Sequence, residues 1–378
     1  MRVSVVGGAG GIGRAAVHAV AGFDEVAEVV VLDRDAERGD RLVARIGAKG
    51  TFQAYDADND DLAAMLRGSD VVISTLGPYT RFGRRTIEAA IEAGVDYVDV
   101  NDDWAPTLEA LTLGDRAKQA DVTAVVGMGA SPGVVSVLAM RAVRELDTVD
   151  ELVTGWALAG VGPEEGNAKP SAALIHTVEE TTGLIKVTED GVERMVPPLQ
   201  TFDLDYPGIG KLDIRTIGHP EPVTLPRVVK GLRRSVNVMS GPNWWFEHLE
   251  SVAKRVDAGE LTVRDAALIL EEPVERPADA PPTLRTPTLW AWAKGRKDGC
   301  DARVGVGLVK WPVGRMAPAT AIPAAVVAQM LLRKEIKAPG VVTPEEVVPF
   351  ELLMERLDPF YVLPQSVPDL YTVAVEFD

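Results

Sequence analysis

The stretch from Arg2 to Asp33 constrains the fold more than any other part of the chain. Arg2-Val3-Ser4-Val5-Val6 reads as an apolar strand and runs into Gly7-Gly8-Ala9-Gly10-Gly11-Ile12-Gly13; a helical stretch follows, then Val26 to Leu32 closed by Asp33. Gly8, Gly10 and Gly13 stand at the G-x-G-x-x-G spacing, where each glycine has its own steric task. The first makes a tight turn, the second lets backbone N–H groups approach a pyrophosphate, and the third lets the helix pack closely on the strand. Gly11 and Ile12 lie in the first turn of that helix, whose positive end and unpaired N–H groups form an anion site. Asp33, about 20 residues past Gly13, is placed to accept hydrogen bonds from a ribose 2′-OH and would repel a 2′-phosphate. NAD is therefore the expected cofactor, with NADP kept open by Arg34, whose guanidinium suits a phosphate or an adenine face.

The alternation continues. Asp35 to Ile46 reads as a helix, Thr51 to Tyr55 as a strand ending near Asp56, Asp61 to Leu66 as a helix, and Asp70 to Leu76 as a strand of the kind buried in a parallel sheet. Ligand crevices in doubly wound folds lie outside the carboxyl ends of the strands, so Asp56 and the run Ser74-Thr75-Leu76-Gly77-Pro78 are expected at the cofactor. Tyr79 is a candidate proton donor, or a loop tyrosine covering the core. Arg84 to Ala93 reads as a helix, and Val95 to Val100 as a strand whose end carries Asn101, Asp102 and Asp103. These polar groups either orient a substrate amine or cap a helix that begins near Thr107. Val122 to Val126 is a sixth strand, followed by a helix up to Leu146 with Pro132 in its first turn. Such regular alternation implies a doubly wound parallel sheet with both faces covered.

The rhythm changes near Asp150. Val153 to Leu158 alternates as a strand, a glycine-rich acidic loop runs to Lys169, and Ser171 is placed to cap a helix from Ala172 to Gly183 that carries His176, Glu179 and Glu180. Asp190-Gly191 marks a turn, Lys211 to Thr216 a strand, and Met239 to Val256 a helical start with Trp244, Trp245 and Phe246. Arg227, Lys230 and Arg234 read as one helix face, either a carboxylate clamp or a solvated basic patch. Glu272 to Pro287 is a proline-rich connection, and Leu289 to Lys294 pairs with Ala302 to Val309 as a hairpin. A second α+β domain with a mostly antiparallel sheet follows. An apolar helix at Ala324 to Lys334 and a further helix at Glu345 to Leu357 close the chain.

Composition narrows the partners. At 378 residues two domains are expected, and a formal charge of −17 disfavours nucleic acid and anionic membranes. A single cysteine, Cys300, rules out an internal disulfide framework and suits a reducing compartment. No export signal is apparent at the N-terminus, and the apolar run Ala321 to Leu332 is too short to span a bilayer, so a cytoplasmic location is expected. One cysteine and four histidines supply neither a Cys-based nor an H-E-x-x-H zinc pattern, so no metal is expected.

Several of these stretches together resemble the saccharopine dehydrogenase family, which includes saccharopine reductases and lysine 6-dehydrogenase-like proteins. They are Val5 to Arg14, Ser74 to Tyr79 with the following helix, Ala93 to Asp99 and the Pro132-Gly133 helix start, with weaker echoes at Gly218-His219-Pro220-Glu221 and Ala321 to Ala325. The resemblance implies a Rossmann domain over 1–130, a substrate and dimerisation domain over 131–317, a helix near 318–336 returning to the first domain, and a C-terminal helix and tail over 337–378. It also implies nicotinamide-dependent chemistry on a carbon bonded to nitrogen, with an amino acid or amine as substrate and a homodimer as the assembly. Saccharopine reductases resemble Asp-Pro-Gly where this chain has Ser131-Pro132-Gly133, which weakens the case for saccharopine itself. Hydride chemistry at a C–N bond needs a proton-transfer group and, for amino acids, a cationic clamp. Tyr79, Asp102 and His176 are the candidates for the first role, Arg81 and Arg215 for the second, and Trp244 for a further substrate contact. A carbonyl or enoyl reductase on the same fold, or a dinucleotide-binding protein without turnover, are the alternatives.

Overall fold

The computed structural model describes residues 1–157, 170–280, 286–314 and 316–378. The acidic loop up to Lys169, Leu158 at the end of the expected strand, and residues 281–285 of the proline-rich connection lie outside them. The chain divides into two compact units, Met1–Val137 with Trp311–Leu363, and Leu138–Lys310 with Pro364–Asp378.

In the first unit strand and helix alternate as β1 (Arg2–Val6), α1 (Gly11–Ala21), β2 (Glu28–Asp33), α2 (Ala36–Ile46), β3 (Gly50–Ala54), α3 (Leu62–Leu66), β4 (Val71–Ser74), α4 (Tyr79–Ala93), β5 (Asp96–Asp99), α5 (Trp104–Leu111), α6 (Gly114–Gln119) and β6 (Thr123–Val125). Val3, Val5, Val29, Val30, Val31, Val71 and Val72 are all buried, as strands covered on both faces require. Helix α1 buries Gly13, Ala16, Val17, Ala19 and Val20, a small-residue face, while His18 is exposed. Asp35 caps α2 by accepting from the Arg38 N–H at 3.0 Å. Helix α4 begins at Tyr79 rather than Arg84, because Tyr79, Phe82, Gly83, Thr86, Ile87, Ala90 and Ile91 recur at helical spacing on one buried face. Helix α5 begins at Trp104, ahead of the expected Thr107, and Asp103 at its N-cap makes no side-chain capping bond.

Helix α7 (Val134–Val143) starts after Pro132, which lies outside it, and leads into the second unit. That unit is built from β7 (Thr148–Ala157), α8 (Ala172–Glu180), β8 (Ile185–Glu189), β9 (Val192–Val196), β10 (Asp205–Tyr206), β11 (Gly210–Lys211), β12 (Ile214–Ile217), α9 (Glu221–Val228), β13 (Arg234–Ser240), α10 (Asn243–Asp257), α11 (Val263–Glu271), β14 (Leu289–Lys297) and β15 (Cys300–Leu308). The final stretch holds β16 (Trp311–Pro312), α12 (Met316–Leu332), β17 (Gly340–Val342), α13 (Pro344–Val347), α14 (Phe350–Leu357), β18 (Tyr361–Leu363) and β19 (Tyr371–Phe377).

The first sheet has the order β17-β6-β5-β4-β1-β2-β3, parallel throughout. The second has the order β19-β15-β14-β7-β13-β8-β9, with β12 also on β13, and only the β13–β7 pairing is parallel. The β8–β9 and β14–β15 hairpins turn through Asp190-Gly191 and Asp298-Gly299, all four at positive φ, as tight hairpins between right-twisted strands demand. Val153, Trp290, Trp292, Tyr206 and Val238 lie in the second core. Arg227 belongs to α9, Lys230 to the following loop and Arg234 to β13, so the three do not share a helix face. Met239 likewise lies in a buried strand that runs to Ser240, and the helix expected from it starts only at Asn243.

Helix α12 is buried all round, with every residue from Ala321 to Leu332 shielded from solvent. Such a helix belongs inside a core, and it packs on α1, α14, β4 and β5. Among the described residues no helix is long and apolar enough to cross a membrane.

Met330, wholly buried in α12, sets the first test. Met330→Ala lowers unfolding stability by about 2–5 kcal/mol in urea titration. Lys337→Ala, which breaks an exposed pair with Asp121, changes it by about 1 kcal/mol or less.

Candidate functional site

Strand order reverses between β1 and β4, which carry β2 on one side and β5 on the other. Ligand crevices open outside the carboxyl ends of the strands at such a point. There the Gly7 N–H donates to the Leu32 carbonyl at 2.8 Å, and the Gly10 N–H to the Gly7 carbonyl at 3.1 Å. Gly7 has φ +73°, and a Cβ on Gly13 would stand 2.2 Å from the Gly7 oxygen. The third glycine of the motif thus lets α1 close on the turn's own carbonyl. A Cβ on Gly8 would meet Val31 Cγ1 at 2.9 Å. Gly10 is the N-cap of α1 and no side chain caps it. Helix geometry therefore leaves the N–H groups of Gly11, Ile12 and Gly13 without intrahelical acceptors.

Asp33 stitches the turn from beside it. Its Oδ2 accepts from the Ala9 N–H and its Oδ1 from the Asp35 N–H, both at 3.0 Å. Each carboxylate oxygen has a second lone pair for a further donor. Arg34 is exposed next to it. From β4, the Thr75 hydroxyl donates to the Val6 and Gly7 carbonyls at 3.0 and 3.2 Å, bracing the turn from the other flank. Ser74 is buried, Leu76 half-buried, and Gly77 and Pro78 exposed. Asp56, past β3, accepts from the Asp58 N–H at 3.1 Å and the Asn59 amide at 2.6 Å, and these bonds hold it below the usual carboxylate range. A glycine cradle, an uncapped helix start and a neighbouring acid are what a dinucleotide requires, so the residues present fit one.

The ends of β4 and β5 carry a buried polar chain, of which the sequence reading singled out Ser74, Tyr79 and Asn101 but not Thr86, Tyr97 or Asp99. Tyr79 is buried and its hydroxyl donates to the Ser74 carbonyl at 3.1 Å. Tyr97 donates to Asp99 Oδ2 at 2.9 Å and lies 3.1 Å from the Thr86 hydroxyl. Asp99 Oδ1 accepts from the N–H groups of Gly127 at 2.7 Å and Asn101 at 3.1 Å, tying two loops together. Burial pushes the Asp99 carboxyl up to about 6, against the pull of those donors. Asn101 accepts from the Asp103 N–H at 3.1 Å and donates to Thr107 at 2.8 Å, which holds the loop carrying the half-buried Asp102.

The second unit has its own concentration of ionisable groups. Ser171 caps α8, accepting from the Leu174 N–H at 3.3 Å. His176 and Glu180 stand at i, i+4 on this helix and so share a face. The Gly218 N–H donates to the Glu180 carbonyl at 3.0 Å, and Thr188 to the Pro222 carbonyl at 2.8 Å, fastening the 218–222 segment beside the helix end. As a result Glu180 Oε1 lies 2.7 Å from His176 Nε2 and 2.5 Å from His219 Nε2, while Glu221 Oε2 lies 3.4 Å from His219 Nδ1. Burial alone would lower His219, yet Glu180 and Glu221 carry it up to about 10. Burial alone would raise Glu180, yet His176 and His219 bring it down to about 2. Of this group only His176 stood among the expected site residues. The His176/Glu180 spacing and the Gly218-His219-Pro220-Glu221 run were the available signals.

Arg81 pairs with Asp58 at 2.6 Å on the surface of the first unit. Arg215, its side chain largely buried in the second, pairs with Glu250 at 2.7 Å and lies over the Phe246 ring at 4.8 Å. Trp244 is half-buried in the first turn of α10.

Comparison with known proteins extends this geometry. Residues 3–125 match the model of the saccharopine dehydrogenase NADP binding domain, and residues 129–360 that of the saccharopine dehydrogenase C-terminal domain. Carboxyaminopropylagmatine dehydrogenase of Synechocystis sp. is 27% identical over 385 residues, covering 92% of this chain and 93% of that protein. Carboxynorspermidine synthase of Vibrio cholerae is 23% identical over 395 residues, covering 90% and 91%. Among solved structures, apo saccharopine dehydrogenase (L-Glu forming) of Saccharomyces cerevisiae superposes with a TM-score of 0.64 at 16% identity over 99% of both chains. The homospermidine synthase of Legionella pneumophila in complex with NAD does so with 0.60 at 13% identity, over 100% of this chain and 91% of that one. The two structures are likenesses of fold.

Two substitutions check the first unit. Gly13→Ala forces the turn apart, costing about 1–3 kcal/mol in thermal unfolding, and abolishes dinucleotide binding in calorimetry. Asp99→Asn keeps the Oδ1 acceptor for Gly127 and Asn101. Because the folded state holds the Asp99 proton more tightly than the unfolded chain, the stability it contributes is present below pH 4 and lost as pH rises to 6. Urea titrations across that window show Asp99→Asn gaining on the wild type by up to about 3 kcal/mol, at about 1.4 kcal/mol per tenfold change in proton affinity.

Proposed function

The chain belongs to the saccharopine dehydrogenase family and is an NAD(P)-dependent oxidoreductase; from that premise we propose that it acts at the C–N bond of an amine that also carries a carboxyl group. The observation that carries the dinucleotide half of this reading is the uncapped start of α1 above the glycine turn, at the point where the strand order reverses. The substrate half rests on the relatives of nearly equal length, whose names describe carboxylated agmatine and norspermidine compounds. The net charge of −17 supports it, since an acidic surface concentrates cationic amines and disfavours anionic substrates.

A bound nicotinamide supplies the hydride acceptor in the amine-oxidising direction and the donor in the imine-reducing one. The N–H groups of Gly11, Ile12 and Gly13 would take the diphosphate, while Gly8, whose Cβ would meet Val31, lets the turn close on the sheet. The outward lone pairs of Asp33 take the ribose hydroxyls, and its charge opposes a 2′-phosphate, so NAD is the preferred form. Arg34 is the group that would hold that phosphate were NADP bound. Thr75, Leu76, Gly77 and Pro78 follow β4, the strand next to the one that leads into the glycine turn, and would hold the nicotinamide ribose.

Calorimetry with both dinucleotides tests the cofactor assignment. NAD binds more tightly than NADP, and Asp33→Asn weakens NAD about tenfold or more, as loss of hydrogen bonds to a charged acceptor predicts. Nicotinamide absorbance then follows turnover with saccharopine, lysine, diamines and carboxylated polyamines. Oxidation of carboxyl-bearing amines is the expected result. Activity confined to alcohols or enoyl thioesters would overturn the reading.

A further inference from the structure

Asp99 is not among the groups assigned to the diphosphate or the ribose, yet it stands beside the segment assigned to the nicotinamide half. At the carboxyl end of β5 it is in register with Ser74, the last residue of β4, which Thr75 follows. Neighbouring strands lie about 4.8 Å apart, so Asp99 is one strand spacing from the start of that segment. Only 1% of its surface is exposed.

Its surroundings are polar without being positive. Gly127 and Asn101 donate backbone N–H groups to Oδ1, and Tyr97 its hydroxyl to Oδ2; these donors are uncharged. The ionisable groups near it are phenols and acids: Tyr97 on the same strand, Tyr79 on α4, and Asp102 and Asp103 on the loop after β5. The arginines of α4 pair with acids at the surface, Arg81 and Arg85 with Asp58, and Arg84 with Glu88 and Glu109. Strand β6, the 126–133 segment after it, and α12, which packs on β4 and β5, carry no ionisable residue. Ionised, Asp99 is therefore a buried negative charge held by dipoles.

The hydrogen bonds around it suit two protonation states. Thr86 donates its one hydroxyl proton to the Gly83 carbonyl at 2.9 Å, so toward Tyr97 it is an acceptor. Tyr97 has one proton and two oxygens in reach, Asp99 Oδ2 at 2.9 Å and Thr86 Oγ1 at 3.1 Å. With Asp99 ionised, the phenol donates to Oδ2. With Asp99 protonated, the carboxyl donates to the phenol and the phenol to Thr86. Each of these donors is placed in both states, and no heavy atom has to move. Burial sets the changeover near neutrality, at about 6.

We propose that Asp99 determines which oxidation state of the dinucleotide the first unit prefers, favouring the cationic nicotinamide of NAD over the neutral ring of NADH when ionised and losing that preference when protonated. The inference rests on the proposed placement of the nicotinamide half past β4. The two forms have the same heavy atoms, so charge is the main difference for a protein to read. Across about two strand spacings, roughly 10 Å, at an effective dielectric of about 20, one unit charge changes the affinity for another by about tenfold or more. At neutral pH the ionised residue thus favours loading of the oxidised cofactor and release of the reduced one. Linkage gives the sign: NAD binds the anionic form better, so its binding lowers the proton affinity of Asp99 and expels protons near pH 6, whereas NADH does not.

The test measures binding to the full-length protein. It uses NAD and NADH, since the extra phosphate of NADP itself titrates near 6. Calorimetry and dihydronicotinamide fluorescence give both dissociation constants from about pH 5 to about pH 8. The preference for NAD over NADH rises about tenfold as pH climbs through 6 and then levels off. NAD titrations near pH 6 in buffers of different ionisation heat show release of a fraction of a proton. Asp99→Asn, whose amide stands in for the protonated acid, holds the preference flat at the low-pH value of the wild type. Tyr97→Phe removes a donor from Oδ2 and moves the midpoint to higher pH, an effect that packing alone does not produce. It also serves as the test should Asp99→Asn fold poorly. Infrared difference spectra near pH 6 show NAD removing the C=O stretch of a protonated carboxyl in the wild type and not in Asp99→Asn.

A wild-type preference that does not change with pH would overturn the inference while leaving the cofactor assignment standing. So would an Asp99→Asn protein that keeps the wild-type preference at pH 8, or a Tyr97→Phe protein with an unmoved midpoint. A wild type that binds neither dinucleotide at any pH would overturn the proposed function and this inference together.

Discussion

The fold of the first unit depends on the absence of one side chain. With hydrogen at Gly13, α1 begins against the carbonyl of Gly7, and the turn after β1 is short enough for the helix axis to point at the space beyond the sheet. Thr75 from one neighbouring strand and Asp33 from the other then fix the turn by its own backbone atoms. Both residues do structural work at the position where a ligand is expected, so anion-binding capacity and turn stability are not separable there. The turn's own N–H groups are taken up by Leu32, Gly7 and Asp33, and it is the first N–H groups of α1 that helix geometry leaves for a ligand.

The second unit solves a different problem. Its sheet is antiparallel but for one pairing, and its core is aromatic, with Trp290, Trp292 and Tyr206 packed together. Against that apolar background the Glu180–His219–Glu221 chain is costly to bury, and it holds only because each charge faces an opposite one. Removing a single member strands its partners, which makes the group far more sensitive to substitution than the surface pairs of Arg81 or Lys337.

Much of both units is readable from local chemistry. The valine-rich strands, the Asp35 and Ser171 caps and the Asp190-Gly191 turn each follow from the preferences of a few adjacent residues. The errors fall where long-range packing overrides them. Tyr79 to Gly83 carries a glycine and follows a proline, so it reads as loop; one face of it is buried, and it is helix. Arg234 to Ser240 mixes polar and apolar residues without clear alternation, yet it lies between β7 and β8 and is buried on both faces. Glu345 to Leu357 divides at Pro349, which starts α14 instead of continuing α13.

Residue order alone determined the parallel sheet, the glycine turn with its acid, and the resemblance that placed the chain in its family, because each is written in neighbours within one strand–turn–helix unit. Tertiary structure decided which strands sit side by side, that β17 extends the first sheet and β19 the second, and that a glutamate of α8 meets a histidine 39 positions later. Those pairings depend on burial and charge compensation between segments far apart in the chain. No local pattern encodes them, since a histidine or a carboxylate looks the same in sequence whether water or an opposite charge will surround it.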